Sequence, residues 1–64
     1  MFNYERMNEL IHGKGIDQKT LANAVGVSEQ AISFFARGIK DPSLAVLGRI
    51  AHELGVTAAE LIKE

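Results

Sequence analysis

Residues Gln18 to Gly38 read QKTLANAVGVSEQAISFFARG, and their spacing decides the fold. Leu21, Ala22 and Val25 recur at helical intervals, Gly26 and Val27 interrupt them, and Ile32 and Phe35 resume the pattern. The stretch predicts two short helices joined by a tight glycine turn. Ala22 is small where the second helix must cross closely, and Gly26 can take the positive φ of the turn. Ile32 is the apolar wedge that locks the two helices together. Each feature alone occurs in unrelated amphipathic hairpins; their combination is far more specific.

Working outward, a first helix is expected from about Tyr4 to His12, capped by Asn3, with Met7, Leu10 and Ile11 on one face. Gly13 and Gly15 end it, and Ile16 leads back toward the core. Asp17 caps the second helix and Gly26 closes it. Ser28 caps the third, Glu29 in its first turn suits the helix dipole, and Gly38 ends it. Pro42 then forbids helix continuation. Ser43 caps a fourth helix running to Glu53 or Leu54, with Leu44, Leu47, Ile50, Ala51 and Leu54 inward. Gly48 in mid-helix costs about 1 kcal/mol relative to alanine, which points to a neighbouring helix passing close by. Gly55 ends that helix, and Thr57 caps a last short one containing Leu61 and Ile62. The expected fold is all-α: five helices, no strand, one domain over residues 1–64, and no repeat or low-complexity segment.

Sixty-four residues lie near the lower limit for a self-sufficient core. With no cysteine and few aromatics, Leu, Ile, Val and Ala must fill it, with Met7 as a further core filler. The lack of cysteine fits a reducing cytosol. No run approaches the ~20 apolar residues of a membrane span, and the N-terminus is no signal peptide, so the chain is expected to be soluble and intracellular. The formal net charge is −1, but it is unevenly spread. Residues 14 to 40 hold Lys14, Lys19, Arg37 and Lys40 against Asp17 and Glu29. Residues 41 to 64 hold Arg49 and Lys63 against Asp41, Glu53, Glu60 and Glu64. The positive face is thus expected on the two-helix motif and the negative face behind it.

From Met7 to Ile62 the chain resembles the Cro/repressor-type helix-turn-helix family of bacteriophage and bacterial transcription regulators. The resemblance rests on DQKTLANAVGVSEQAIS, on ARG at 36 to 38, on the DPSL helix start and on the closing HELGVTAAEL. It implies a compact five-helix domain of the lambda-repressor type, with its helix-turn-helix at residues 18–37. Such domains bind double-stranded operator DNA, usually as dimers, with the second helix across the backbone and the third in the major groove. By position, Gln18 and Lys19 open the second helix, where family members often grip a phosphate with help from the free amides of the helix end. Ser28, Glu29, Gln30, Ala31, Ser33, Phe34 and Arg37 lie on or beside the outward face of the third helix. Glutamine there can pair with adenine, glutamate can accept from cytosine, and an apolar side chain can meet the thymine methyl. Arg37 is expected on a phosphate, and Lys40 lies in the loop from which members reach the backbone.

The chain departs from the family pattern twice. Many members pair an arginine late in the first helix with a glutamate ending the third; here those positions are Ile11 and Ala36, so an apolar contact is expected instead. Phe34 stands where a polar reader is usual and is expected to meet thymine or another protein. Val56, Leu61 and Ile62 form the expected homodimer surface, although the same residues can complete the core of one chain.

His12 and His52 sit on different helices with no second ligand at useful spacing, so neither a metal site nor acid–base catalysis is expected. No nucleophile–base pair, phosphate loop or carboxylate cluster is visible. The chain is read as a non-enzyme without cofactor: a cytoplasmic, nucleoid-associated repressor on a pseudo-palindromic operator. The competing reading is a protein-interaction module or antitoxin-like regulator on the same fold, suggested by the acidic balance and the apolar pair Phe34–Phe35.

Overall fold

Every α-helix of the chain starts at a side chain that accepts a backbone hydrogen bond from three residues further on. A computed structural model describes residues 1–63. It contains α1 (Tyr4–Lys14), α2 (Gln18–Val25), α3 (Glu29–Ala36), α4 (Leu44–Leu54) and a final 3-10 turn (Ala58–Leu61). The backbone N–H groups of Arg6, Thr20, Ala31 and Val46 donate to the side chains of Asn3, Asp17, Ser28 and Ser43 at 3.1, 2.8, 3.0 and 3.3 Å. Each cap contributes about 1 kcal/mol, which matters for helices only two or three turns long.

The helices bury one shared core. α2 packs on α3 and α4, α1 crosses α3, and the 3-10 turn sits against α4 and α1. Met7, Ile32, Ile50 and Leu61 are completely buried, with Leu21, Ala22, Val25, Leu47, Ala51 and Leu54 close behind. Burying each large aliphatic side chain stabilises the fold by about 1.5–3 kcal/mol. The accessible surface of 4036 Å² matches the ~4,000 Å² expected of a folded monomer of this mass, so the core closes within one chain. Ile11 and Ala36 are both buried in this core where α1 meets α3, the position at which an apolar contact was expected. Beside them the Asn8 side-chain amide donates to the Ala36 carbonyl at 2.9 Å, pairing an otherwise open group at the end of α3.

Four expectations are corrected. α1 continues through Gly13 to Lys14, and Gly15 alone ends it. Leu44 is 82% exposed. It shares the angular face of Leu47 and Ala51 but stands on the first turn of α4, beyond the reach of the neighbouring helices. Gly48 is exposed, and a Cβ placed there would meet nothing within 4 Å, so no helix approaches it. The last element is a 3-10 turn; Thr57 makes no side-chain cap, and Ile62 is extended and exposed.

That extended backbone has a partner. Phe2 and Ile62 form an antiparallel bridge, flanked by Asn3 N–H to Leu61 C=O at 2.7 Å and Lys63 N–H to Met1 C=O at 2.6 Å. It draws Phe2 into the core, where its ring meets Phe35 edge-on at 6.4 Å. Among the described residues no helix is long and apolar enough to cross a membrane.

Candidate nucleic-acid interface

The α2–α3 pair is built as the spacing of its residues requires. Leu21, Ala22 and Val25 bury one face of α2, and Ile32, Phe35 and Ala36 bury the facing side of α3. Gly26 stands at φ 83°, and both its N–H and that of Val27 donate to the Ala22 carbonyl, at 2.9 and 3.0 Å. The chain can reverse this tightly because glycine has no Cβ to clash in the left-handed region. Arg49, from α4, also braces the turn: its guanidinium donates to the Val25 carbonyl at 3.4 Å and lies beside Gly26. A cation there suits the negative end of α2. This role was invisible in the sequence, since Arg49 stands 24 residues away with no local pattern linking it to the turn.

The core-facing half of α3 leaves the other half outward. Glu29 and Gln30 are exposed on its first turn, and Ser28 is exposed while its hydroxyl caps Ala31 N–H. Ala31 is half-buried against the core, and Ser33 and Phe34 are half-buried. The guanidinium of Arg37 lies over the Phe34 ring, 5.4 Å from its centroid. Arg37 and Lys40 are exposed, as is Lys19 on the first turn of α2 beside the half-buried Gln18. These ten residues therefore surround one side of α3 and the start of α2. Gly38, at φ 73°, turns the chain between Arg37 and Lys40 and lies under the ring of Tyr4.

Electrostatics distinguish this side from the rest. All the ion pairs among the described residues gather where α1 meets the C-terminal segment: Arg6 with Glu9 at 3.3 Å and Glu60 at 3.0 Å, and Lys63 with Glu5 at 2.8 Å. The Lys63 bond holds the Glu5 carboxyl below its ordinary range, and the same contact raises Lys63. The hydrogen bonds that Arg6 donates to Glu60 and Glu9 raise its pKa. Lys14 and Arg49 lack a carboxylate partner among the described residues but lie away from α3. Lys14 reaches the end of α4, its ammonium 3.9 Å from where a Cβ on Gly55 would stand, and Arg49 braces α2. Lys19 on α2, Arg37 at the end of α3 and Lys40 in the loop after it likewise have no carboxylate partner among the described residues. Asp17, two residues before Lys19, is held below the usual aspartate range chiefly by the Thr20 N–H it caps, with a smaller pull from Lys19.

The expected dimer surface is not brought together. Leu61 is completely buried in the core of its own chain, because the terminal bridge turns it inward. Val56 is half-buried against that core, and only Ile62, 44% exposed, is available. Sequence reasoning also missed the contacts of Asn8 and Phe2 with α3 and of Tyr4 with the turn at Gly38, which join distant positions. Among the described residues there is no cluster of side chains able to hold a metal.

Comparison with known proteins agrees with this geometry. The helix-turn-helix family model matches residues 9–61. The transcriptional regulator DdrOP3 of Deinococcus deserti is 34% identical over 59 residues, covering 92% of this chain and 46% of that protein. The chain thus spans less than half the length of this relative. The restriction-modification controller protein C.AhdI of Aeromonas hydrophila superposes with a TM-score of 0.86 at 30% identity, over 92% of this chain and 89% of that one. The DNA-binding domain of the P22 c2 repressor gives 0.88 at 28% identity, over 95% and 80%. With residues 9–61 of its 64 matched, the chain belongs to the helix-turn-helix family.

Proposed function

We propose that residues 1–64 form one domain that binds double-stranded DNA sequence-specifically and represses transcription by occupying a pseudo-palindromic operator. The observation that carries this reading is the segregation of charge. In a chain of net charge −1, five of the seven Lys and Arg side chains have no carboxylate partner among the described residues, and three of these five, Lys19 at the start of α2, Arg37 at the end of α3 and Lys40 in the loop after it, belong to the helix-turn-helix and its flank. Placed in the major groove, α3 presents Gln30 and Glu29 to base edges from its first turn, with Ser28, Ala31 and Ser33 alongside. Gln18 and Lys19 at the start of α2, and Arg37 and Lys40 beyond α3, meet phosphates on either side. The likeness to the P22 c2 repressor domain supports this placement.

Two copies on one operator would present their α3 helices about 34 Å apart, one helical turn of DNA. Leu61 takes no part in joining them, so the pairing surface is narrowed to the exposed Ile62 with the rim of Val56. The regulator acts by occupancy, with no cofactor, metal or catalytic step, in the cytoplasm at the nucleoid. The likeness to the P22 c2 repressor domain supports a Cro- or repressor-type role.

The interaction-module reading loses its main support. Phe35 is buried and Phe34 lies under Arg37, so the two do not make an exposed apolar patch. Selection of bound duplexes from a random pool at physiological salt tests the proposal. Enrichment of an inverted repeat is the expected result. A folded protein that enriches nothing would overturn it.

A further inference from the structure

Phe34 lies on α3 and Arg37 caps its C-terminal end three residues later, still on the same face, and the guanidinium lies 5.4 Å from the centre of the ring. The ring is half-buried and so fixed by the fold, whereas Arg37 is exposed and has no carboxylate partner among the described residues. An arginine drawn over a ring by its positive charge still has N–H donors that the ring does not use, and these match the oxygens of a phosphate. Lys19 and Lys40 have no such support; their ammonium groups must be ordered when DNA arrives. Arg37 also follows the last residue of α3, whereas bases are read from the first turn of a recognition helix.

Building on the DNA-binding reading above, we infer that Phe34 is a positioning residue: its ring is a platform that holds Arg37 ready for a backbone phosphate at the groove edge, and it does not itself read a base. The ring supplies a negative π face for the cation and lowers the ordering cost of the contact. A non-polar residue at a position where a polar reader is usual then has a physical purpose.

A double-mutant cycle on the selected duplex tests this, with folding of each variant checked by circular dichroism. Phe34→Leu keeps apolar bulk without the π face and should weaken binding about two- to fivefold, the effect of one exposed cation–π contact. Phe34→Tyr restores the face and should restore binding. Arg37→Gln should lower the slope of log affinity against log salt by about one, while Phe34→Leu leaves that slope unchanged. In the Arg37→Gln background, Phe34→Leu should cost nothing further. An equal loss from Phe34→Leu in both backgrounds, or no rescue by tyrosine, would overturn the inference while DNA binding by the wild type stood. A wild-type chain without salt-dependent binding would overturn the DNA reading itself, and the inference with it. Proton NMR gives a check without DNA: ring-current shifts of the Arg37 side chain are expected in the wild type and absent from Phe34→Leu, and unshifted wild-type signals would refute the stacking.

Discussion

Three glycine-to-alanine changes should differ in sign and size, for reasons visible in the structure. At Gly48, in the exposed middle of α4, a new Cβ meets nothing within 4 Å, so alanine gains helix propensity and should stabilise the chain by about 1 kcal/mol. At Gly26 the backbone is left-handed at φ 83°, and the nearest group to an added Cβ is the Arg49 guanidinium at 3.8 Å. Only backbone strain is added there, about 1–2 kcal/mol, partly offset by stiffening of the unfolded chain, leaving about 1 kcal/mol of destabilisation. Gly38 has nearly the same φ, 73°, but its Cβ would lie 2.8 Å from the Tyr4 ring. That ring must move. Because Tyr4 is 37% exposed it can swing toward solvent, so the added cost is at the low end of overpacking, about 1 kcal/mol. The total at Gly38 is then about 2 kcal/mol. For a domain of this size each kcal/mol moves the melting temperature by roughly 4–8 °C, so thermal melts followed by circular dichroism resolve the order Gly48→Ala, wild type, Gly26→Ala, Gly38→Ala. In a Tyr4→Ala background the excess at Gly38 should vanish, leaving the Gly26 value. Equal losses at the two turns, or an excess that survives Tyr4→Ala, would refute the packing argument.

Ile32→Ala removes a completely buried wedge and should cost about 2–5 kcal/mol. A 64-residue domain has only about 3–10 kcal/mol in total, so urea unfolding should show a strongly lowered midpoint or no folded baseline. Asp17 has a folded-state pKa below its unfolded value, so its cap contributes fully above the ordinary aspartate range and loses that contribution as pH falls through the lowered value. The gap in urea midpoint between wild type and Asp17→Ala should therefore be wide at neutral pH and narrow in strong acid; a gap independent of pH would contradict the charged cap. Lys19→Ala should reduce the salt slope of DNA binding by about one, whereas Lys63→Ala, which removes a cation already paired with Glu5, should leave it unchanged in the same titration.

Much of α3 and its surroundings could be read directly from the residues. Asp17, Ser28 and Ser43 cap as expected because each bond spans three residues of backbone and needs nothing from elsewhere. Gly26 turns as expected for the same local reason. The burial of Leu21, Val25, Ile32 and Phe35 follows from helical period, which sets the angle each side chain takes around its axis. Period is silent about position along that axis, which is why Leu44 was misplaced. It is silent also outside helices, which is why Phe2 went unnoticed and Leu61 was given to a dimer surface.

The sequence by itself determined where α1 to α4 begin, where Gly26 and Gly55 end α2 and α4, and that α2, its turn and α3 form a helix-turn-helix, because caps, glycine turns and periodicity act over four residues or fewer. Tertiary structure decided which charges remain for a partner. Arg6 finds Glu60 across 54 residues, Lys63 finds Glu5 across 58, and Arg49 reaches Val25 across 24. A hydrogen bond needs its partners within a few ångströms and surface Coulomb attraction is screened beyond about 10 Å, so only the folded chain could show that Lys19, Arg37 and Lys40 stay unpaired among the described residues.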